Sequence, residues 1–317
     1  MKNLRYVLFL LLAAPIAIAQ NGEEVFTFLR YPSSARVNAL GGNTVSLVER
    51  DPSLAFHNPA LLGAEMDKMV NLNYMNFISD INVGNALFAR AIGEKGAWGT
   101  GASFISYGNF KQTTEENLAT GDFSVKDIAI HAFYSGNLSE RWRGGLSLKF
   151  LYASLESYTS LGLAVDAGLS YYNSEKDLSF GIALKNIGAQ LKAYDEKRYK
   201  MPWDIQLGMS KKLAHAPFRF SLTGMYLTDF SFKTFTKHWV LGLDFVPSDN
   251  FWAGIGFNPK TMLDMKLQVG GNTLSGFSAG AGISVKMFDV GVSVAKYHPS
   301  ALSLMVSVST TLSDFKP

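Results

Sequence analysis

Residues 276–280, Gly-Phe-Ser-Ala-Gly, match the G-x-S-x-G pattern that surrounds the nucleophilic serine of many hydrolases. The pattern activates a serine only where a strand turns sharply into a helix, because that elbow exposes the hydroxyl group. Here apolar and small residues keep alternating from Phe277 to Lys286, which is typical of one uninterrupted strand. Ser278 is therefore predicted to be a small inward residue, and an esterase or lipase is the weakest of three functional hypotheses.

Other reactive residue types are sparse. The chain has no cysteine, and its histidines lack the H-x-x-x-H or H-E-x-x-H spacing of a zinc site. They are His57, His131, His215, His238 and His298. No metal, cofactor or disulfide framework is expected. The net charge of +3 comes with scattered Lys and Arg residues, so no nucleic-acid partner is expected either.

A set of charged residues lies on the polar side of otherwise alternating stretches. These residues are Lys149, Asp166, Lys185, Asp204, Asp244, Lys286 and Asp289. They could contact a substrate in a barrel lumen, or they could pair with one another, with water, or with the N-terminal residues Arg36, Glu49, Arg50 and Asp51. Structural pairing is the favoured interpretation, since ion-pair networks also occupy such sites.

The elements that must position these residues are β-strands, because apolar residues recur at every second position from about residue 68 to 313. Apolar residues from Leu161 to Tyr171 alternate with small or polar residues from Gly162 to Ser170. The pattern predicts fourteen strands, at residues 68–77, 82–91, 97–107, 125–137, 142–154, 159–172, 178–187, 202–213, 217–226, 237–246, 250–258, 275–286, 288–297 and 301–313. A weaker alternation at residues 263–269 is assigned to a surface connection.

A soluble sandwich also alternates, so other features must identify the fold class. Only 17% of the residues are charged, below the ~25% of soluble domains, and strands of about ten residues suit a tilted membrane span. Aromatic residues near predicted strand ends suggest girdles at the headgroup level: Trp98, Tyr107, Tyr134, Tyr152, Tyr171, Trp203, Tyr226, Trp239, Trp252 and Tyr297. We expect an all-β fold, a transmembrane antiparallel β-barrel of about 14 strands in the outer membrane of a Gram-negative bacterium.

The chain divides into three predicted parts. Residues 1–19 have the basic start, apolar core and A-x-A end of a signal peptide. Residues 20–66 do not alternate and are expected to form a plug in the lumen, and residues 67–317 form the barrel. Tight turns such as residues 93–96 are expected on the periplasmic side. Longer segments near residues 108–124, 188–201, 227–236 and 259–274 are expected to face outward.

The predicted plug also carries a motif with a family resemblance. The motif residues are Ser34, Ala35, Arg36, Ala39, Leu40, Gly41, Gly42, Asp51, Asn58, Pro59 and Ala60. This pattern resembles the plug of the FadL-like outer-membrane barrels of Bacteroidota, including the PorV and PorQ families of the type IX secretion system. Further stretches resembling the latter family lie at residues 26–36, 107–110, 154–160, 185–188, 215–220 and 297–298.

The resemblance implies a 14-strand barrel with its N-terminal segment in the lumen. It also implies a non-enzymatic role in exporting or attaching proteins that bear a C-terminal secretion domain. Its expected partners are other type IX secretion components, that cargo, and outer-membrane lipid, with docking through residues 110–123, 194–201, 230–235 and 259–272. The alternative hypothesis is a FadL-like channel for a hydrophobic small molecule.

Overall fold

The computed structural model describes residues 24–113, 119–269 and 274–315, so the predicted signal peptide lies outside the described residues. Fourteen antiparallel strands form a closed barrel in which β1 pairs with β14. The strands are β1 (Met69–Ile78), β2 (Ile81–Ile92), β3 (Gly96–Thr113), β4 (Ala119–Asn137), β5 (Trp142–Leu155), β6 (Tyr158–Asn173), β7 (Leu178–Lys192), β8 (Asp204–Lys212), β9 (Phe218–Gly224), β10 (Trp239–Ser248), β11 (Phe251–Phe257), β12 (Phe277–Val285), β13 (Phe288–His298) and β14 (Ala301–Thr311). The predicted fold class and number of strands are confirmed.

The barrel wall has an apolar outer face and a buried inner face. In β1, the outward side chains of Leu72 and Tyr74 are 54% and 52% exposed, whereas Asn71 and Asn73 are buried. This alternation places large apolar residues toward lipid and small or polar residues toward the lumen, as in transmembrane barrels.

The wall differs in height around the barrel. Strands β3 and β4 have 18 and 19 residues, whereas β9 and β11 have only seven each. The prediction of a connection over residues 108–124 was wrong, because β3 continues to Thr113 and β4 begins at Ala119. The other three long segments do connect strands at one end of the barrel, at residues 193–203, 225–238 and 258–276. Residues 263–269 belong to a helix in the last of these connections, α2 (Pro259–Val269).

The N-terminal segment, residues 24–66, consists of short helical pieces rather than strands. They are the α-helix α1 (Ala35–Ala39) and 3-10 helices at Thr27–Arg30, Pro52–Phe56, Pro59–Leu61 and Ala64–Met66. The side chains of Ser34, Asp51 and Asn58 each accept a backbone N–H at a helix start, as cap chemistry predicts. Among the described residues, no helix is long and apolar enough to cross a membrane.

Candidate functional site

The N-terminal segment lies against the inner face of the wall, and glycine makes its closest approaches possible. A Cβ atom added at Gly256 of β11 would lie 2.0 Å from the backbone nitrogen of Gly41. One added at Gly145 of β5 would lie 2.3 Å from the carbonyl carbon of Pro59. Both distances are far shorter than van der Waals contact, so backbone packs directly on backbone on two sides of the barrel.

The turn that follows α1 depends on a second property of glycine. Gly41 and Gly42 have φ values of 93° and 89°, in the region that L side chains rarely adopt. The turn reverses the chain just after Leu40, which is buried against Gly242 of β10 and Gly254 of β11. The two glycines therefore allow the chain to reverse at this point.

Short polar side chains of the wall hold α1 and its turn. The backbone N–H of Ala35 donates to the hydroxyl of Ser307 at 2.7 Å, and the Asn38 amide donates to Ser293 at 2.9 Å. Ser278 accepts from the backbone N–H of Gly41 at 3.0 Å and donates to the carbonyl of Ala39 at 2.9 Å. Ser278 lies within β12 with no elbow after it, so it has a structural role in this arrangement.

The middle of the segment is organised around His57 and Asn58. The backbone N–H of Ser33 donates to His57 Nε2 at 3.2 Å, and His57 Nδ1 lies 2.9 Å from Oδ1 of Asn43. Because Nε2 accepts, the ring is neutral and carries its proton on Nδ1. Burial, together with the nearby cations Lys185 and Lys149, lowers the pKa of His57 to about 3.

Asn58 and its two successors complete this part of the motif. The Asn58 amide donates to the carbonyl of Val45 at 2.8 Å, while its Oδ1 accepts the N–H of Ala60 at 3.0 Å. Pro59 occupies the first helical position, where its missing backbone N–H would have had no acceptor within the helix. Asn58 therefore caps the short helix that follows it and ties two separate parts of the segment together.

Three of the predicted lumen charges form one buried cluster. Asp166 of β6 lies 2.7 Å from the ammonium groups of both Lys149 of β5 and Lys185 of β7. Its other oxygen accepts the backbone N–H of Asn186 at 2.7 Å, and Lys149 also donates to the Asn186 side chain at 2.6 Å. Lys185 further donates to the carbonyl of Phe56 in the N-terminal segment. We name Lys149, Asp166, Lys185 and Asn186 the central cluster.

A second buried network joins the segment to β9 and β10. Arg219 donates to Asp244 from Nε at 3.0 Å and from Nη2 at 2.7 Å, and it also pairs with Glu49. Arg36 lies 3.6 Å from Glu49 and 3.8 Å from Asp244, with its guanidinium 5.0 Å from the Trp252 ring centroid. The sequence interpretation omitted Arg219, although its position between the exposed residues Phe218 and Phe220 is the signal that places it inward.

The remaining predicted charges have different positions. Asp204 accepts the backbone N–H groups of Tyr226 at 2.8 Å and Leu227 at 3.0 Å, and Asp289 is a half-buried residue of β13. The assignment of Lys286 to the lumen was wrong. It is exposed in the turn after β12, where its φ of 54° belongs to a tight reversal.

Residues Arg50 and Asp51 join the N-terminal segment to the closing strands of the barrel. Arg50 donates to the Thr311 hydroxyl of β14 at 2.8 Å. Asp51 Oδ1 accepts from Ser53 at 2.7 Å and lies 3.4 Å from the side-chain nitrogen of Asn71 in β1. The predicted pairing of inward and plug residues is therefore found on several sides of the barrel. Among the described residues, no group of three or more His, Asp or Glu side chains could hold a metal ion.

The aromatic residues do not all form girdles. Trp98 and Tyr134 are exposed on the outer face, as expected. Tyr107, Trp252 and Tyr297 face inward instead: Tyr107 lies 3.3 Å from Asp127, and Tyr297 donates to Asn38 at 2.6 Å. Their place near a strand end was predicted correctly, but the parity of their positions puts them on the lumen side.

A cavity of about 420 Å³ opens at the end of the barrel that carries the long connections. Its lining is mostly apolar and aromatic: Glu24, Val25, Leu155, Tyr158, Tyr194, Asp195 and Tyr199. Glu24 is paired with Arg30, and Asp195 accepts the N–H of Lys197 at 2.9 Å, so both carboxylates already have partners. The sequence did not predict this cavity, because it forms between residues of the N-terminal segment, the β5–β6 turn and the β7–β8 connection.

The wall beside this cavity is irregular. Asn186 has a φ of 55°, and the β6–β7 register shifts between Val165 and Ala167. Pairing of β7 with β8 ends at Lys185, so the rest of β7 has no partner strand on that side. Side chains take over from the ladder: Asn186 donates to the carbonyl of Pro202 at 3.1 Å, and Gln190 accepts the N–H of Tyr199 at 2.8 Å.

Comparison with known proteins identifies the fold. No protein-family model and no curated protein sequence matches the chain. Among solved structures, the Pseudomonas putida toluene transporter TodX has a TM-score of 0.58 at 12% identity, over 89% of this chain and 98% of TodX. A Pseudomonas aeruginosa FadL homologue has a TM-score of 0.52 at 12% identity, over 88% of this chain and 98% of the homologue. A TodX mutant described as a monoaromatic hydrocarbon channel has a TM-score of 0.60 at 12% identity, over 89% of this chain and 99% of the mutant.

The chain has the fold of a FadL-type barrel. At 12% identity the similarity establishes the fold alone. The function of this chain has to be inferred from its own residues.

Proposed function

We propose that this chain is an outer-membrane channel that binds a hydrophobic small molecule at its long-connection end. The observation that carries the proposal is the aromatic cavity at that end of a FadL-type barrel. TodX, which has a similar fold, is described as a toluene transporter, and its mutant as a monoaromatic hydrocarbon channel. The same fold and the apolar outer face of the strands support an outer-membrane location.

The cavity fits an uncharged, largely apolar ligand. Its volume of about 420 Å³ lies within the ~300–1,000 Å³ range of small-molecule sites. The rings of Tyr158, Tyr194 and Tyr199 offer large contact area, and their hydroxyls offer a few hydrogen bonds for orientation. Glu24 is paired with Arg30, and Asp195 accepts one backbone N–H and stays charged, so the three tyrosine rings form the part of the cavity that fits an apolar ligand.

The irregular wall beside the cavity is the proposed exit. Below the cavity, the N-terminal segment packs buried residues such as Leu40, Leu47 and Leu54 inside the barrel wall. Beyond Lys185, only side chain–backbone hydrogen bonds connect β7 to the following connection. A bound molecule would leave sideways into the bilayer where β7 and β8 stop pairing, more readily than past the N-terminal segment.

Ligand binding tests the proposal directly. Purified protein in detergent is titrated with radiolabelled toluene and, separately, with a radiolabelled long-chain fatty acid. We expect saturable binding of at least one probe and at least a tenfold loss in Tyr194→Lys, which puts a charge into the cavity. The matched control is Tyr134→Ser, an aromatic residue on the outer face that should leave binding unchanged. Absence of binding to both probes would reject the hydrophobic-ligand proposal.

A second candidate function is that of an accessory barrel of the type IX secretion system that binds secretion partners and C-terminal-domain cargo. The family resemblance of the plug motif and of the further stretches supports this candidate, and the packing of the N-terminal segment on the inner face of the wall suits a scaffold. Deleting the gene should then block export or surface attachment of such cargo, and tagged protein should co-purify with secretion components. Normal export in the deletion strain would exclude this function.

A further inference from the structure

The wall is low where the seven-residue strand β9 stands. With Pro217 and Met225, which still accept from Val246 and donate to His238 through the backbone, the paired stretch rises about 31 Å along the strand at ~3.4 Å per residue. A tilt of about 40° reduces the height spanned to about 23 Å, and the outward apolar band of such barrels is about 25 Å tall. On this side the wall therefore ends close to the edge of the apolar layer.

At the long-connection end the wall stops just after β9. The last residue of β9, Gly224, pairs with the first residue of β10, Trp239, and the chain between them forms the connection 225–238. Two 3-10 helices make up most of this connection, Leu227–Asp229 and Phe232–His238. This connection therefore stands where the wall ends and the membrane continues.

The connection presents an aromatic cluster outward instead of burying it. Phe230, Phe232 and Phe235 are 41%, 87% and 47% exposed. The Phe230 ring centroid lies 5.4 Å from that of Phe232 and 6.2 Å from that of Phe235, so the three rings form one patch. We name these three residues the phenylalanine patch.

The phenylalanine patch continues the lipid-facing surface of the barrel. The ring of Phe235 lies 5.7 Å from that of Trp239, which occupies the same outward register of β10 as the exposed residues Leu241 and Phe245. The patch therefore extends the outer face above the end of β9. Lys237 pairs with Asp264 of α2 at 2.8 Å, which ties the connection to a second element at this end.

We propose that the phenylalanine patch inserts into the outer leaflet and is covered by lipid. The apolar rings continue the lipid-facing surface beyond the end of the short strand, and the exposed neighbours Asp229 and Lys233 lie at headgroup level. Phenylalanine rings carry no polar group, so their transfer from water into the apolar layer is favourable. The contact anchors the side of the barrel where the strands are short, whereas β3 and β4 on the other side are long.

A spin label can measure the depth of the patch, since the chain has no native cysteine that would also react. Single-cysteine variants Phe232→Cys, Leu241→Cys and Glu196→Cys are labelled with a nitroxide in phosphatidylcholine vesicles. Leu241 is the lipid-facing control, and Glu196, exposed in the β7–β8 connection, is the water-facing control. Collisions with oxygen, which concentrates in lipid, are compared with collisions with a water-soluble nickel chelate.

We expect the ratio of oxygen to nickel collisions at position 232 to be several-fold higher than at position 196 and close to that at position 241. Adding Phe230→Ser and Phe235→Ser should lower the ratio at position 232 toward the aqueous value. A ratio equal to that of Glu196→Cys would mean that the connection stands in water, free for a protein partner, and would overturn the proposal. A label shielded from both reagents would overturn it too, because the patch would then be covered by protein.

Discussion

The central cluster gives the sharpest test of how the barrel interior is held together. Asp166→Asn keeps the shape of the side chain but removes its charge, which leaves the ammonium groups of Lys149 and Lys185 without a counterion. Both lysines are nearly inaccessible, with side-chain exposures of 2% and 5%. Removing one partner of a buried ion pair typically costs about 3–5 kcal/mol, because the remaining charge stays buried and uncompensated.

The expected loss can be compared with a matched surface site. Asp264 also bridges two lysines, Lys237 at 2.8 Å and Lys260 at 2.5 Å, but on the surface of the long-connection end. Exposed pairs of this kind contribute about 0.2–1 kcal/mol each. Asp166→Asn should therefore lower the free energy of unfolding by at least 3 kcal/mol, about a hundredfold in the unfolding equilibrium, and Asp264→Asn by roughly 1 kcal/mol.

Denaturant unfolding of the protein refolded into lipid vesicles measures both variants, with the heat-dependent shift in gel mobility reporting the folded barrel. Adding Lys149→Met to Asp166→Asn should recover part of the loss, since it removes one of the two unpaired charges. If Asp166→Asn unfolds within 0.5 kcal/mol of Asp264→Asn, the two lysines are not buried as described and the reasoning fails.

Three further predictions concern the contact between segment and wall. Gly256→Val forces a side chain into the backbone at Gly41, so proteolysis of the N-terminal segment should become faster, whereas Gly136→Val in β4, where an added Cβ meets nothing closer than 3.7 Å, should not change it. Because the folded pKa of His57 is about 3, below the ordinary 6.5, its neutral form stabilises the fold above pH 6.5, and this contribution is lost as pH falls toward 3. His57→Gln should therefore show a flatter loss of stability between pH 6.5 and pH 3 than the natural chain. Ser278→Ala removes two hydrogen bonds and should cost about 1–3 kcal/mol of stability with no change in ligand binding, and a loss of binding without a loss of stability would contradict its structural role.

The strands could be predicted from sequence because each one meets two different solvents. Lipid outside and a packed interior inside select opposite residue types at successive positions, and this period of two is visible in the chain itself. The exceptions arise where this contrast ends. Alternation alone did not show that β12 stops at Val285, so Lys286 was assigned to the lumen although it lies in the turn.

The interior could be predicted only in part, because its contacts join residues far apart in sequence. The caps at Ser34, Asp51 and Asn58 are local and follow from neighbouring residues. The meeting of Asp166 with Lys185 depends on the β6–β7 register, which shifts at the irregularity beside Asn186. That shift has no clear sequence signal, since Asn is only one of the residues that tolerate a positive φ.

The cavity depends on still more distant parts of the chain. Val25, Tyr158 and Tyr199 come from the N-terminal segment, a strand start and a connection. Connections have no fixed period, so their relative placement does not follow from hydropathy. The fold was therefore predictable from the chain, whereas the ligand-binding end required the three-dimensional structure.

Uptake of a hydrophobic molecule tests the central claim most directly. The chain is produced in the outer membrane of a Gram-negative host without a hydrocarbon channel, and the initial rate of radiolabelled toluene uptake is measured at equal surface levels of the natural chain, Tyr194→Lys and Tyr134→Ser. The proposed channel predicts a rate several-fold above the host background for the natural chain and Tyr134→Ser, and a background rate for Tyr194→Lys. A background rate for all three proteins, correctly folded in the membrane, would contradict it.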